Sequence, residues 1–258
     1  MSMSRGETAG ISEQEQQALR ALAAQDALLL ARLHGRELDV ETLQQLRAGA
    51  FADLFALLPE EEMAQQACMV IDRGWDALDA GDEQALLDAL AADYAAIYLT
   101  HQHRVPVTES VALDDDHLER QEPMMAVRAW YRRFGVAAAD WRKMADDHIA
   151  PQLAFIAHLL AAEGDAARAS VADIAAFMDE HIRTWIADFA TAAASRADTP
   201  FYAGLAMFTA SWLHNLRRAL TLLGAPEPAP VEKKRRERQA QAAEEEPAVY
   251  VPGMGPAI

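Results

Sequence analysis

Apolar residues recur along most of this chain at intervals of three and four, and no segment alternates β-branched and polar residues between turn signals. That pattern predicts an all-α fold, a helical bundle of about nine to ten helices. Ser12 and Glu15 have the spacing of a capping box opening the first helix, with Leu19, Leu22, Leu29 and Leu33 as its inward stripe. Short helices follow over 40–47 and 50–57, the second stopping before Pro59. The next runs from Glu60 to Leu78, burying Met63, Ala67, Val70 or Ile71, and Trp75, until Gly81 and Asp82 break the period. In its neighbour Leu86, Leu90, Tyr94 and Ile97 share one face.

Between residues 99 and 122 the period lapses into a long polar stretch with Pro106 and the cluster Asp114, Asp115 and Asp116. A loop this long inside a compact domain is uncommon, and its position makes it a candidate functional segment and a possible hinge between lobes. It is also compatible with either a monomer or a domain-swapped dimer. Helices resume at Pro123, a first-turn position, and pass Trp130, Tyr131 and Phe134 to end at Gly135. Another runs from Asp147 to Glu163 with Ile149, Leu153, Ile156 and Leu160 inward. Ser170 with Asp173 opens a long helix carrying Ile174, Phe177, His181, Trp185 and Phe189. The last, Pro200 to Leu223, is closed by Gly224 and Pro226. The organisation expected is a flexible N-terminus (1–11), one helical domain (12–224) and a disordered charged tail (225–258).

Composition narrows the class. At 258 residues and 52% hydrophobic, the chain can bury a core without disulfides or metals. Cys68 is the one cysteine, which excludes an internal disulfide and points to a reducing compartment. The first ten residues lack a secretory pattern, so a cytoplasmic location is expected. The uncharged stretch from Thr199 to Leu216 contains Thr209, Ser211, His214 and Asn215 and is followed by Arg217 and Arg218. It reads as a central buried helix rather than a stable membrane span. The formal net charge of −17, with part of the positive charge gathered in the run Lys233 to Arg238, disfavours nucleic acid and favours a cationic partner such as a basic peptide.

Candidate chemistry is sparse. His101, His103, His117 and His148 stand in or near the polar stretch or beside aspartates, but no Glu-x-x-His or His-Glu-x-x-His spacing organises them. Phosphate-binding glycine loops and the Gly-x-Ser-x-Gly elbow are also missing from the sequence. The expectation is therefore binding rather than catalysis, with no metal and no cofactor. A metal-dependent hydrolase using Asp146, Asp147 and His148 is the enzyme-class alternative, and a helical adaptor acting through its charged tail is the other.

An ordered series of motifs carries more information. Asp93-Tyr94-Ala95-Ala96-Ile97-Tyr98 is followed by Glu109-Ser110-Val111 and Leu113-Asp114. Then come Gln121-Glu122-Pro123 with Ala126-Val127-Arg128 and Trp130-Tyr131, and finally Trp141 and Asp147-His148. In order and spacing over residues 90–160 this series resembles the TorD/DmsD/NarJ family of molybdoenzyme-maturation chaperones. The general order of helices extends the likeness over about 15–223. Ala145-Asp146 stands where that family usually has a proline before the aspartate, and Thr108 and Ala112 stand where relatives often have aromatics.

The resemblance implies a cytoplasmic chaperone that holds the precursor of a molybdoenzyme catalytic subunit, through its leader peptide, often a twin-arginine one, until the cofactor is loaded. Such a receptor needs carboxylates beside an apolar helical groove. Asp93, Glu109, Asp114 and Asp147 are the candidate arginine partners, Tyr94, Ile97, Tyr98 and Trp141 the candidate walls, and His148 an orienting neighbour. Ser110, Glu122, Pro123, Arg128 and Tyr131 are structural members of the motif. Plainer readings accompany these. Tyr94 and Ile97 repeat at core spacing, Asp147 suits a helix N-terminus, and Glu122-Pro123 suits a helix start.

Overall fold

The computed structural model describes residues 12–78, 83–114, 117–138, 143–161 and 169–231. Among them are ten α-helices: α1 Glu13–Gly35, α2 Val40–Arg47, α3 Glu62–Leu78, α4 Glu83–Tyr94, α5 Glu109–Leu113, α6 Glu122–Arg133, α7 Ile149–Ala161, α8 Val171–Glu180, α9 Ile186–Arg196 and α10 Pro200–Leu222. The all-α expectation holds, and among the described residues the nearest thing to a strand is an isolated antiparallel bridge between Thr108 and His148. The terminal stretches 1–11 and 232–258, and with them most of the expected disordered tail, lie outside the described residues, as do Gly81, Asp82, Asp115, Asp116 and Trp141. No helix among the described residues is long and apolar enough to cross a membrane.

Two long-range helix pairs organise the bundle. α1 packs along α7, and α3 along α10, which also lies against α9. The Ser12–Glu15 capping box opens α1, and Leu33 of its expected stripe is fully buried, with Leu29 packed against the core, while Leu22 points outward at 45% exposure. The buried face also takes in Ala23, Ala24, Ala27 and Ala31, and small side chains at 3–4 spacing let two helix axes approach closely. The α3–α10 contact is closer still. A Cβ on Gly204 would lie 2.5 Å from Ile71 Cγ1 and 2.9 Å from the Ala67 carbonyl, and one on Gly74 2.7 Å from Pro200 Cβ. On α3 it is Ile71 that is buried, while Met63 and Val70 are exposed.

Buried polar groups tie distant helices together. Arg20 on α1 donates to the carbonyls of Leu159, Leu160 and Ala169 (3.2 Å or less), a cation on the negative end of α7. Asp26, one helical face further on, accepts from the Ala56 and Leu57 amides and from Trp212 Nε1. The expected helix over 50–57 is a single 3-10 turn, Phe51–Leu54, which ends at an extended Phe55, and the amides of Ala56 and Leu57 go to Asp26 instead of continuing the helix.

The expected long helix from Ser170 is likewise broken. It stops at His181 (φ −121°, ψ −96°), passes through a 3-10 turn over Ile182–Thr184, and resumes as α9. His181 is drawn onto Glu109, with Nδ1 3.1 Å from Oε2, and the Thr184 hydroxyl takes up the freed His181 carbonyl at 2.6 Å. α4 ends in one turn of π-helix, Ala95–Leu99, after which the His103 amide reaches back to the Ala96 carbonyl at 3.2 Å.

Candidate functional site

The middle of the stretch expected to be a polar loop is buried. Val105, Val107, Thr108, Glu109 and Ser110 are inside the molecule, and residues 107–109 lie antiparallel to 147–149. The Ile149 amide bonds the Val107 carbonyl, and the Glu109 amide bonds the Asp147 carbonyl, each at 3.0 Å. This junction brings together two of the motifs read from the sequence, Glu109-Ser110 and Asp147-His148.

Asp147 is fully buried. Its Oδ2 accepts from the Ser110 amide at 2.8 Å and from the Ser110 hydroxyl at 2.5 Å, so it caps α5. Ser110 Oγ in turn accepts from the Gln121 amide at 3.2 Å, which fixes the start of α6. Glu109, also fully buried, accepts from Gln152 Nε2 at 2.9 Å and pairs with His181. Gln152 donates to the Asp147 carbonyl as well, at 3.1 Å. Two acceptors of this cluster, Asp147 Oδ1 and Gln152 Oε1, are buried without a hydrogen-bond partner among the described residues. Burial pushes the Asp147 carboxyl above the usual aspartate range and the Glu109 charge adds to this, against the Ser110 hydrogen bonds, which pull it down. Gln152 was not singled out in the sequence, and His181 was read there only as part of a helix's inward stripe. Each sits among apolar residues at core spacing, and only the buried Glu109 opposite explains a polar side chain there.

The turn before Asp147 is held from α6. Arg128 clamps Asp146 through Nε and Nη2, and the Tyr131 hydroxyl donates to the Asp146 carbonyl at 2.8 Å. Burial raises the Tyr131 hydroxyl well above its ordinary pKa, so it remains a donor. Glu122 is the exposed first residue of α6 and Pro123 the buried second. Asp114 ends α5, and its Oδ2 accepts from the Leu118 amide at 2.8 Å. Leu118 and Met125 are more than half exposed, so the stretch after α5 and the first turn of α6 present apolar side chains to solvent.

The aromatic candidates lie deeper. Tyr94, Ile97 and Tyr98 are all buried, and the rings of Tyr94, Tyr98 and Tyr202 lie within about 6 Å of one another. The Thr209 hydroxyl donates to the Leu205 carbonyl at 2.7 Å and so accepts from His34 Nε2 at 2.9 Å. His34 Nδ1 is thereby the acceptor for the Tyr98 hydroxyl at 2.7 Å. The ring is neutral, its pKa driven down to about 3 by burial and by His148. His148, 6.0 Å from Tyr98 ring to ring, is held down to about 3 for the same first reason, and its Nδ1 accepts from the Ala150 amide. Asp93 caps α10, accepting from the Thr199 amide and hydroxyl at 2.8 and 2.6 Å.

Asp146, Asp147 and His148 do not converge on one point. The first faces Arg128, the second Ser110, and the third its own helix. Among the described residues they form no cluster spaced to hold a metal. What the site assembles is a buried, acceptor-rich cluster of hydrogen-bonded carboxylates with the neutral His148 imidazole beside it.

Comparison with known proteins gives the class to which this all-helical bundle belongs. Residues 60–191 match the nitrate reductase delta subunit family, and the chain belongs to that family. A chaperone protein TorD from Shewanella loihica is 29% identical over 200 residues, covering 72% of this chain and 86% of that protein. A chaperone protein TorD from Shewanella oneidensis is 27% identical over 207 residues, covering 78% and 90%.

Proposed function

We propose that this chain is a maturation chaperone for a molybdenum-containing oxidoreductase, acting in the cytoplasm on the precursor of its catalytic subunit and binding the leader peptide at the Glu109–Asp147 junction. The observation that carries the reading is the pair of buried acceptors, Asp147 Oδ1 and Gln152 Oε1, that have no donor among the described residues. A guanidinium carries five donors and no acceptor, so a leader arginine supplies what this cluster lacks. Family membership and the two chaperone relatives support the class. The exposed Leu118 and Met125 are suited to the apolar stretch that follows the arginines. The net charge of −17 draws a basic leader in from solution.

Asp147 is fully buried, so a guanidinium reaches it only when the structure around it opens locally. Binding is then coupled to that opening and is slower than simple docking. In this reading Tyr98 backs the site through the His148 ring, and the buried Asp93, Tyr94 and Ile97 cap and pack rather than line it.

The test is calorimetric titration of the full chain with leader peptides from the molybdoenzymes of its own source, at low and moderate salt. One leader should bind saturably and more weakly as salt rises. Asp147→Asn, which keeps the shape but removes the charge, should weaken it about tenfold or more. Equal affinity in the variant would remove the leader from this junction. Binding of a leaderless apoenzyme alone would keep the chaperone and discard the peptide site.

A further inference from the structure

At the opposite end of the π-turn, three side chains from three segments meet outside the junction already described. Asp93 closes α4, His103 sits in the segment between the π-turn and α5, and Asp198 lies between α9 and α10. His103 Nε2 is 3.4 Å from Asp93 Oδ1 and 3.2 Å from Asp198 Oδ2. All three ligand atoms lie within 4.8 Å of one another. Although two carboxylates are this near, the buried Nε2 makes a hydrogen bond to neither. The nitrogen is within reach of both oxygens but aligned for a hydrogen bond to neither.

That geometry is poor for an N–H donor and good for a lone pair. A tetrahedral ion bound at about 2.0–2.1 Å sets its ligand atoms about 3.3–3.4 Å apart, close to the two spacings observed at Nε2. We propose that Asp93, His103 and Asp198 form a binding site for a divalent cation of the zinc class, with one nitrogen and two carboxylate ligands and the remaining coordination position filled by water.

The imidazole favours zinc and its neighbours over magnesium or calcium. The two carboxylates supply the negative charge that a divalent ion neutralises. The ligands are held in place without the metal. Asp93 is fixed by the Thr199 amide and hydroxyl, and by the Asp198 amide at 3.1 Å. The His103 backbone is fixed by the Ala96 carbonyl and by Arg196, which donates to the His103 and Arg104 carbonyls. Asp198 is 76% exposed, which leaves a route for the ion to enter. Bound there, the ion crosslinks the end of α4, the α9–α10 corner and the segment that leads into Thr108–Ser110.

The experiment uses the full chain, stripped with a chelator and titrated with zinc chloride, and separately with cobalt chloride so that the visible ligand-field absorption reports coordination. One equivalent of zinc should bind and raise the thermal midpoint. His103→Gln and Asp198→Asn should each weaken binding tenfold or more and remove the cobalt band. Asp198→Asn tests the site without disturbing the fold, because that side chain is exposed and only its backbone amide serves Asp93. His101→Gln, at the exposed pair with Glu119, should change nothing. The proposal is overturned if no saturable binding occurs up to millimolar zinc, or if binding survives both ligand variants. It is equally overturned if zinc leaves the thermal midpoint of the parent chain unchanged, which is the behaviour of side chains that meet without holding a metal.

Discussion

His34 and His148 are both buried as neutral rings, with pKa values near 3 against about 6.5 in an unfolded chain. Between those values the unfolded chain takes up protons that the fold refuses. Their contribution is therefore present in full above pH 6.5 and is lost as pH falls toward 3. Each ring adds up to about 1.4 kcal/mol per pH unit to that slope. Urea unfolding at pH 7 and pH 5 should show a steep loss of stability. His148→Asn, whose amide oxygen can still accept from the Ala150 amide, should make that loss shallower. Asp147 has the opposite sign. Its pKa is raised in the fold, so ionisation counts against folding, and stability from this group falls as pH rises through its folded pKa. Asp147→Asn should hold or raise the urea midpoint at pH 7 even as it weakens leader binding; a large loss of stability would mean that the charge holds the fold together. Tyr98→Phe leaves His34 Nδ1 bare and should lower stability by about 1–2 kcal/mol in the same assay.

At the scale of the elements, Gly204 sets the separation of α3 and α10. Gly204→Ala places a methyl group against Ile71 and the Ala67 carbonyl. It should destabilise the chain by about 1–3 kcal/mol, read as a lower thermal midpoint, despite alanine's better helix propensity. An unchanged or raised midpoint would show that the two helices can move apart without loss. Elements were legible in the sequence where one apolar face repeats over three or more turns, as in α4, α7 and α10. The capping signals at Ser12 and Ser170 also appear where the sequence placed them. On α1 the stripe was right at Leu33 and wrong at Leu22, and it missed the buried alanines because leucine outweighs alanine in a hydrophobic pattern, whereas close helix contact accepts alanine. The α8–α9 break had no local signal. It is set by His181 meeting Glu109 from a segment 72 positions away in sequence. For the same reason the motif Glu109-Ser110…Asp147-His148 could be read as a pair of segments, but Gln152 as their link could not.

For the molecule as a whole, charge and packing sit in different places. Residues 232–258 hold five acidic and five basic side chains, so the remainder carries the entire net charge of −17. A chain truncated after residue 231 keeps Pro226, whose carbonyl accepts from the buried Arg217 at 2.7 Å. It should bind a leader peptide with the affinity and salt dependence of the full chain. Loss of binding on truncation, measured by the same titration, would favour an adaptor that works through its tail.

The pairing of α1 with α7 also bears on how the protein is made. α1 leaves the ribosome well before α7, the helix over residues 149–161 that covers its alanine face, and α3 waits still longer for α10. Neither early helix can bury its apolar side against its final neighbour until most of the chain has been synthesised. During that interval the nascent chain exposes helix faces that its finished fold buries, so a chaperone is itself, while it is being made, a chain in need of shelter.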